Sequence, residues 1–584
     1  VLKKNILSLN VLPLARELVA AVSSSKQLQE ILYLELLVSK LLYDLIDGHS
    51  CSLISDITDD KEQLLEFLIA ANIGAYYSFN GIIPAKAIVI LPKQNLIYIN
   101  RYLHYELNIV RGLKYLFKSY DVNKQKTEAL EKLKEYSQQF DLPNIDQLRA
   151  IDITSQNRLS FITGGPGTGK TTTVILLLWL FYKEYGDDCQ IRICAPTGRA
   201  ATRVKESLQN SINFFTSMNI PINSDKINQF IEDGGNFSTI HKLLGSIKNN
   251  IYFKHNKTKQ LDIDVLIVDE SSMIGLPLFS KLVEAINCDA IKHVIFLGDK
   301  NQLSSVEEGF VFATMINILR MNIYTQNTNI AELTISKRNS GDIGVFAKAI
   351  LQSDIKTMVH SLTNVHDIKL FKPNLKDYLS YMFEQSTSFI NYINYIINTN
   401  NSNNRATCDE LFTLFYKQIT LCLTNVGPLG CDSLNQYIDK MVKQKINGVN
   451  KWYTGRPIII LENDYTLSLF NGDIGICMIK NGKTIIVFSD GKEFIPEILP
   501  RFNLAYALTI HKSQGSEYEN VNVLLYSLNT NNEMCSRELL YTAVTRAKKT
   551  VTIFAEQAVV LESAKNITKR NTGLLENWSE LNIQ

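Results

Sequence analysis

The sequence predicts an α/β protein in which two units are built on parallel sheets, a small β-barrel is inserted in the second, and a mainly helical domain precedes both. Short β-branched runs alternate with helical segments after residue 145, and a glycine-rich loop joins one such run to a helix. Later, a cluster of hairpin signals interrupts the second α/β pattern. The chain has 584 residues, which at roughly 150 per domain makes about four folded units. Hydrophobic residues at 45% and charged residues at 20% are ordinary globular usage and exclude a disordered chain.

From residue 12 to 47, apolar residues recur at helical spacing, with Leu14, Leu18 and Val22 followed by Leu28, Ile31, Leu32 and further leucines to Leu45; Gly48 ends the run. Residues 88–91 and 96–99 read as short strands leading into an amphipathic stretch at 101–117, and a polar segment at 120–134 follows. A boundary therefore falls near residue 120. On its residues alone this first domain is either a structural unit or a docking surface for another protein. Strands are then expected at 159–163, 191–195, 265–268 and 293–297, with surface loops at 321–329 and 398–404. A second set has strands at 419–424, 505–509 and 551–555. Between its first two lie 457–461, 475–480, 484–488 and 493–495, punctuated by Asn481-Gly482 and Asp490-Gly491, the signals of tight hairpins and hence of a barrel. The expected domains are 1–120, 121–325 and 326–584, with the insert at about 453–500.

Lys and Arg total 60 against 58 Asp and Glu, a formal net charge of +2. No global positive field marks a nucleic-acid or membrane-surface binder, so a polyanion has to be met in a local groove. The longest strongly apolar run, 174–182, is about half the length of a spanning helix, and no leader pattern opens the sequence; a cytoplasmic protein without a membrane partner is expected. Nine cysteines without a C-x-x-C pair are expected to be reduced, buried thiols.

Gly164-Gly165-Pro166-Gly167-Thr168-Gly169-Lys170-Thr171 fits the phosphate-binding pattern G-x-x-x-x-G-K-[ST], with Thr172 continuing into the helix. Glycines let backbone N–H groups close round phosphate oxygens, Lys170 reaches the β- and γ-phosphates, and Thr171 is a ligand for Mg2+. About a hundred residues on, an apolar strand ends in Asp269-Glu270; Asp269 is assigned to the metal and Glu270 to the base that accepts a proton from the attacking water. Such a pair alone is often only a helix cap, and its meaning comes from the phosphate loop beside it. Gln302, after the next expected strand, is placed to sense the γ-phosphate. Arg338 and Arg546 are candidates to reach that phosphate from the second unit, although an isolated arginine more often makes a surface ion pair.

Together these stretches resemble the RecD family, the alpha subunits of exodeoxyribonuclease V (the RecBCD complex), among superfamily 1 helicases that move 5′ to 3′. The likeness runs nearly end to end. It takes in Gly48-His49-Ser50-Cys51 and Leu96-Ile97-Tyr98-Ile99-Asn100-Arg101, the GGPGTGKTTT loop, Ala195-Pro196-Thr197-Gly198-Arg199 and Ser238-Thr239-Ile240-His241-Lys242. It continues through the DESSM and GDKNQL stretches, Trp452-Tyr453-Thr454-Gly455-Arg456-Pro457, Thr509-Ile510-His511-Lys512-Ser513-Gln514-Gly515 and Tyr541-Thr542-Ala543-Val544-Thr545-Arg546. The resemblance implies two RecA-like P-loop domains, an SH3-like insert in the second, ATP and Mg2+ between them, and single-stranded DNA across their top. It implies that Gln147 reads adenine and that Thr197, His241, Thr509, His511 and Gln514 touch DNA or couple it to ATP. It further implies a heterotrimer with RecB and RecC acting on double-stranded DNA ends, with cleavage in RecB and the first domain attached to RecC. Lys337 stands before Arg338 where the family usually has an aromatic residue. An ATP-responsive DNA clamp that does not track, and a stand-alone helicase of the same superfamily, are the alternatives.

Overall fold

The computed structural model describes residues 11–22, 28–79, 82–117, 128–140, 142–220, 222, 225–247, 250–305, 307–321, 329–336, 341–399, 402, 404–446, 450–464, 466–526 and 535–581. Two parallel sheets dominate. The first runs in the order Ile330–Leu333, Leu159–Gly164, His293–Gly298, Val265–Val268, Ile191–Ala195, Phe237–Thr239, and every neighbouring pair is parallel. Its central strands are buried along their whole length, as a sheet covered by helices on both faces requires. One covering helix is Lys170–Tyr185, in which residues 173–181 are all buried. The longest apolar run of the sequence is therefore a core helix, apolar all round because both of its sides are covered. Among the described residues no helix is long and apolar enough to cross a membrane.

The second sheet has the order Ile368–Phe371, Ala547–Phe554, Tyr518–Leu524, Gln418–Cys422, Ala507–Thr509, again parallel throughout. Into it is inserted a five-stranded antiparallel sheet, Glu493–Phe494, Lys483–Phe488, Ile474–Lys480, Pro457–Ile460, Phe502–Leu504, with its own core of Ile458, Ile460, Cys477, Ile486 and Phe488. Asn481 and Gly482 both have positive φ at the turn between Ile474–Lys480 and Lys483–Phe488, which is why that pair marks the hairpin. The insert touches the first lobe, where the Phe470 ring packs on Gly198 and Arg199 Nη1 donates to the Gly472 carbonyl at 3.2 Å.

The first domain packs helices around a four-stranded mixed sheet of Ser52–Leu53, Leu96–Ile99, Ile88–Leu91 and Gly74–Tyr76. Its helix Asn100–Phe117 lies against Leu276–Ala285 of the first lobe so closely that a Cβ at Gly112 would collide with Val283.

Three boundaries differ from expectation. The Ile330–Leu333 strand pairs with Leu159–Gly164, so the first sheet reaches past residue 325. The closing helix Leu574–Glu580 belongs to neither lobe's far side: Leu574 and Trp578 share a core with Leu103, Leu107 and Leu113 of the first domain. The insert's last strand, Phe502–Leu504, likewise runs past residue 500. All nine cysteines are free, and eight are buried.

Candidate functional site

The phosphate loop leaves the Leu159–Gly164 strand and enters the Lys170–Tyr185 helix through Gly169, whose φ of 83° lies in the left-handed region that favours glycine. Lys170 Nζ folds back to the Gly164 and Gly165 carbonyls at 2.6 and 3.2 Å, and Thr168 Oγ1 donates to Gly165 O at 2.8 Å. Pro166, Gly167, Thr168, Gly169, Lys170, Thr171 and Thr172 line a cavity of about 560 Å³. Asp269 and Glu270, which follow the Val265–Val268 strand, line the same cavity, as do Gln302 and Gln147.

Burial first, and the Glu270 charge second, push the Asp269 carboxyl up to about 6 against the pull of Lys170. Its Oδ1 accepts the Glu270 N–H at 2.8 Å, and Glu270 itself sits at φ 51°. A half-buried carboxylate pair beside a lysine and loop amides is a place where added positive charge is stabilised.

The far wall comes from the second lobe: Gly515, Glu517 and Arg546. Arg546 is only 3% exposed. Its Nε donates to Thr542 O at 3.1 Å and its Nη1 to Ser516 O at 3.2 Å, while its buried Nη2 has no hydrogen-bond partner. Such an orphaned charged donor in a cavity is costly unless an anion enters.

Further bonds join the lobes at this cavity. Tyr541 OH donates to Asp299 Oδ2 at 3.1 Å, Leu303 N to Thr542 Oγ1 at 2.9 Å, and Gln514 Nε2 to Leu303 O at 2.7 Å. Arg203 of the first lobe stands 3.9 Å from Glu517 of the second. Burial raises Asp299, countered by Lys170 and by the donors on it. Tyr541, Asp299 and Thr542 stand in quoted motifs without an assigned role; that they meet across the cleft is invisible at a separation of more than two hundred residues.

Gln147 is 2% exposed and doubly engaged: its Oε1 accepts from Asn144 N at 3.0 Å in a capping box, and its Nε2 donates to Gly169 O at 3.3 Å. Thr197 and His241 follow the ends of neighbouring parallel strands, where Ala195 pairs with Thr239. Thr197 caps its helix through Ala200 N at 3.2 Å. His241 lies edge-on to Phe253, and burial followed by the Lys281 charge lowers its pKa. Thr509 ends the edge strand of the second sheet, and His511, lowered by burial and then by Arg570, follows it. Thr197, His241, Thr509 and His511 do not line the cavity; they stand at the strand ends beyond it. Lys337 and Arg338 lie outside the described residues.

A family model of the AAA domain matches residues 147–308, and one of the UvrD-like helicase C-terminal domain matches residues 504–554. The RecBCD enzyme subunit RecD of Haemophilus influenzae is 30% identical over 523 residues, which cover 82% of this chain and 79% of that protein. RecBCD enzyme subunit RecD of Mycolicibacterium smegmatis is 31% identical over 439 residues, 74% of each. The ATP-dependent RecD2 DNA helicase of Deinococcus radiodurans is 27% identical over 442 residues, covering 74% of this chain and 52% of that helicase.

Proposed function

The chain belongs to the RecD family, and from that premise we propose how its two lobes turn ATP hydrolysis into 5′-to-3′ movement along DNA. It is an ATP-dependent DNA helicase subunit of a RecBCD-type enzyme. RecB and RecC are its partners in that reading, with the first domain as the attachment to RecC. The parallel-sheet lobes are read as RecA-like domains and the antiparallel insert as an SH3-like barrel.

The observation that carries the mechanism is Arg546, which stands in one cavity with Lys170, Asp269, Glu270 and Gln302 although it belongs to the other lobe. ATP bound on the 164–171 loop presents its γ-phosphate to Lys170 from one side and to the unpartnered Nη2 of Arg546 from the other. Only a closed cleft completes that set, so hydrolysis is tied to closure. Glu270 takes the proton of the attacking water, and Gln302 senses whether the γ-phosphate is present. Gln147 reads the base, using the Nε2 hydrogen not given to Gly169 O.

Among the described residues no group of three or more His, Cys, Asp or Glu could hold a metal ion unaided. Thr171 and Asp269 do share the cavity wall, a hydroxyl and a carboxylate that fit Mg2+ when phosphate oxygens and water complete its shell. When bound, the ion would neutralise charge on the β- and γ-phosphates.

Thr197 and His241 on one lobe and Thr509, His511 and Gln514 on the other hold a single strand and relay its presence. Gln514, bonded to Leu303 O next to Gln302, is the shortest such relay. Alternating closure and opening moves the strand by one step per cycle. Separating a base-pair step opposes this by only about 1.4 kcal/mol, so the lobes need prevent slippage more than generate large force. The test is DNA-stimulated ATP hydrolysis by the reconstituted complex: Glu270→Gln should bind ATP and abolish this subunit's share of turnover, whereas turnover indifferent to Glu270 would leave an ATP-responsive clamp.

A further inference from the structure

Residues 303–305 and 307–309, which follow Gln302, are held by different parts of the molecule. At its start the second lobe engages Leu303 through Thr542 and Gln514. At its end the Arg570 guanidinium donates to three carbonyls: Nη2 to Ser305 O at 3.0 Å, and Nη1 to Gly309 O at 3.0 Å and Glu307 O at 3.2 Å. The first domain reaches the same place. Gly309 N donates to Gly48 O at 2.9 Å, and Tyr102 OH donates to Glu308 Oε1 at 3.0 Å.

The segment that carries Arg570 is in turn fastened to the first domain. Asn571 N donates to His49 Nδ1 at 2.7 Å, and Ser50 N donates to Asn571 O at 2.9 Å. Beyond it, Glu106, fully buried, accepts from Thr572 Oγ1 at 2.8 Å, Gly573 N at 3.2 Å and Asn577 Nδ2 at 2.8 Å. Glu106 also accepts from Ser50 Oγ at 2.5 Å and Tyr98 OH at 2.9 Å. Two motifs of the first domain that the nucleotide site leaves unused, around Gly48-His49-Ser50 and Tyr98, thus converge on a strap that ends at Arg570. A buried carboxylate with five donors and a guanidinium chelating three carbonyls are rigid, directional contacts, not surface packing.

We propose that Arg570 is a positioning residue for ATP turnover: it sets the backbone at Ser305, Glu307 and Gly309, and with it Gln302, and through its strap makes that setting depend on the first domain. This rests on the reading of Gln302 as the sensor of the γ-phosphate. A partner gripping the first domain then adjusts the rate of hydrolysis without touching the nucleotide, through Gly48, Tyr102 and the strap. Arg570 never meets ATP, so its loss should act on kcat and leave nucleotide affinity alone.

The experiment measures kcat and KM for ATP in DNA-stimulated hydrolysis by the reconstituted complex, with Arg570→Ala, Arg570→Lys and Asn577→Ala compared by thermal melting. Arg570→Ala should lower the Lys170-dependent kcat by about tenfold to a hundredfold, the scale of a displaced catalytic group, with KM within about twofold of wild type. Arg570→Lys, which can hold some of the carbonyls, should fall between. Asn577→Ala, which loosens the strap but leaves Arg570, should lower kcat by less than Arg570→Ala does, again with KM near wild type. A wild-type kcat in Arg570→Ala overturns the proposal, and a wild-type kcat in Asn577→Ala at lowered strap stability overturns its dependence on the first domain. Should Arg570→Ala not fold, Arg570→Lys decides: a reduced kcat at unchanged KM supports the proposal, and a wild-type kcat rejects it. Lys170→Gln in the same assay separates the two readings. Turnover that is lost in Lys170→Gln but intact in the Arg570 variants rejects this inference alone, whereas no Lys170-dependent turnover at all rejects the underlying ATP site.

Discussion

Arg546 is the residue through which the proposed mechanism joins the two lobes. Its Nη2 is buried without a partner, so replacing the side chain removes an unsatisfied charge while deleting the group that would meet the γ-phosphate. Arg546→Ala should therefore leave ATP binding nearly intact and lower this subunit's hydrolysis by about 10³–10⁵-fold, read as kcat at saturating ATP. Asp269 supplies a pH prediction. Its folded pKa, about 6, lies above the ordinary 3.8, so in the nucleotide-free protein the proton it holds stabilises the fold below about 4, and that contribution is lost as pH rises through about 6. Binding Mg2+ requires the opposite, ionised form. Magnesium-dependent nucleotide affinity should therefore weaken as pH falls through about 6, with Asp269→Asn removing that dependence, both checked by titrating a fluorescent nucleotide. Residues such as Lys170, Asp269 and Glu270 were legible in the sequence because a loop and a strand end constrain them locally. Tyr541 and Asp299 were not, because their bond spans more than two hundred residues and neither type is distinctive alone. Gln147 shows a third case: its capping role depends on Asn144 adopting a helix-cap geometry that three residues of text do not reveal.

At the scale of elements, the strands that the sequence signalled are those buried on both faces, such as Val265–Val268 and His293–Gly298, because continuous apolar runs announce them. The missed ones are short or carry polar residues. Phe237–Thr239 has three residues at a sheet edge, and Tyr518–Leu524 alternates asparagine with valine although Asn522 is buried. Ile330–Leu333 follows a polar loop and was expected to start the second lobe, yet its backbone pairs with the first. The closest helix contact described between the first domain and the first lobe is Asn100–Phe117 on Leu276–Ala285 at Gly112, beside the bonds at Gly48 and Tyr102. Gly112→Ala should cost about 1–3 kcal/mol of stability by overpacking against Val283, measured by denaturant unfolding. Val283→Ala in the same chain should recover part of that cost, since the two positions are in contact.

For the whole molecule, the near cancellation of charge, 60 basic against 58 acidic residues, now has a structural setting. The phosphates of a nucleotide are proposed to be met by groups lining the cavity between the lobes, and a DNA strand to lie over the adjacent strand ends, so neither requires a positive surface overall. Affinity for single-stranded DNA should nevertheless fall with salt, with a log–log slope of about −0.7 for each phosphate neutralised, as read by fluorescence anisotropy across a salt series. The first domain, the first lobe and the closing helix share one core through Leu103, Phe279 and Trp578, so a partner bound to that domain bears on the motor itself. The central claim is that ATP hydrolysed between these lobes drives 5′-to-3′ unwinding. Strand displacement by the reconstituted complex, on duplexes with either a 5′ or a 3′ single-stranded tail, tests it with wild type and Lys170→Gln side by side. Opening of the 5′-tailed duplex that disappears in Lys170→Gln is the predicted result; opening of only the 3′-tailed duplex, unchanged in Lys170→Gln, would contradict it.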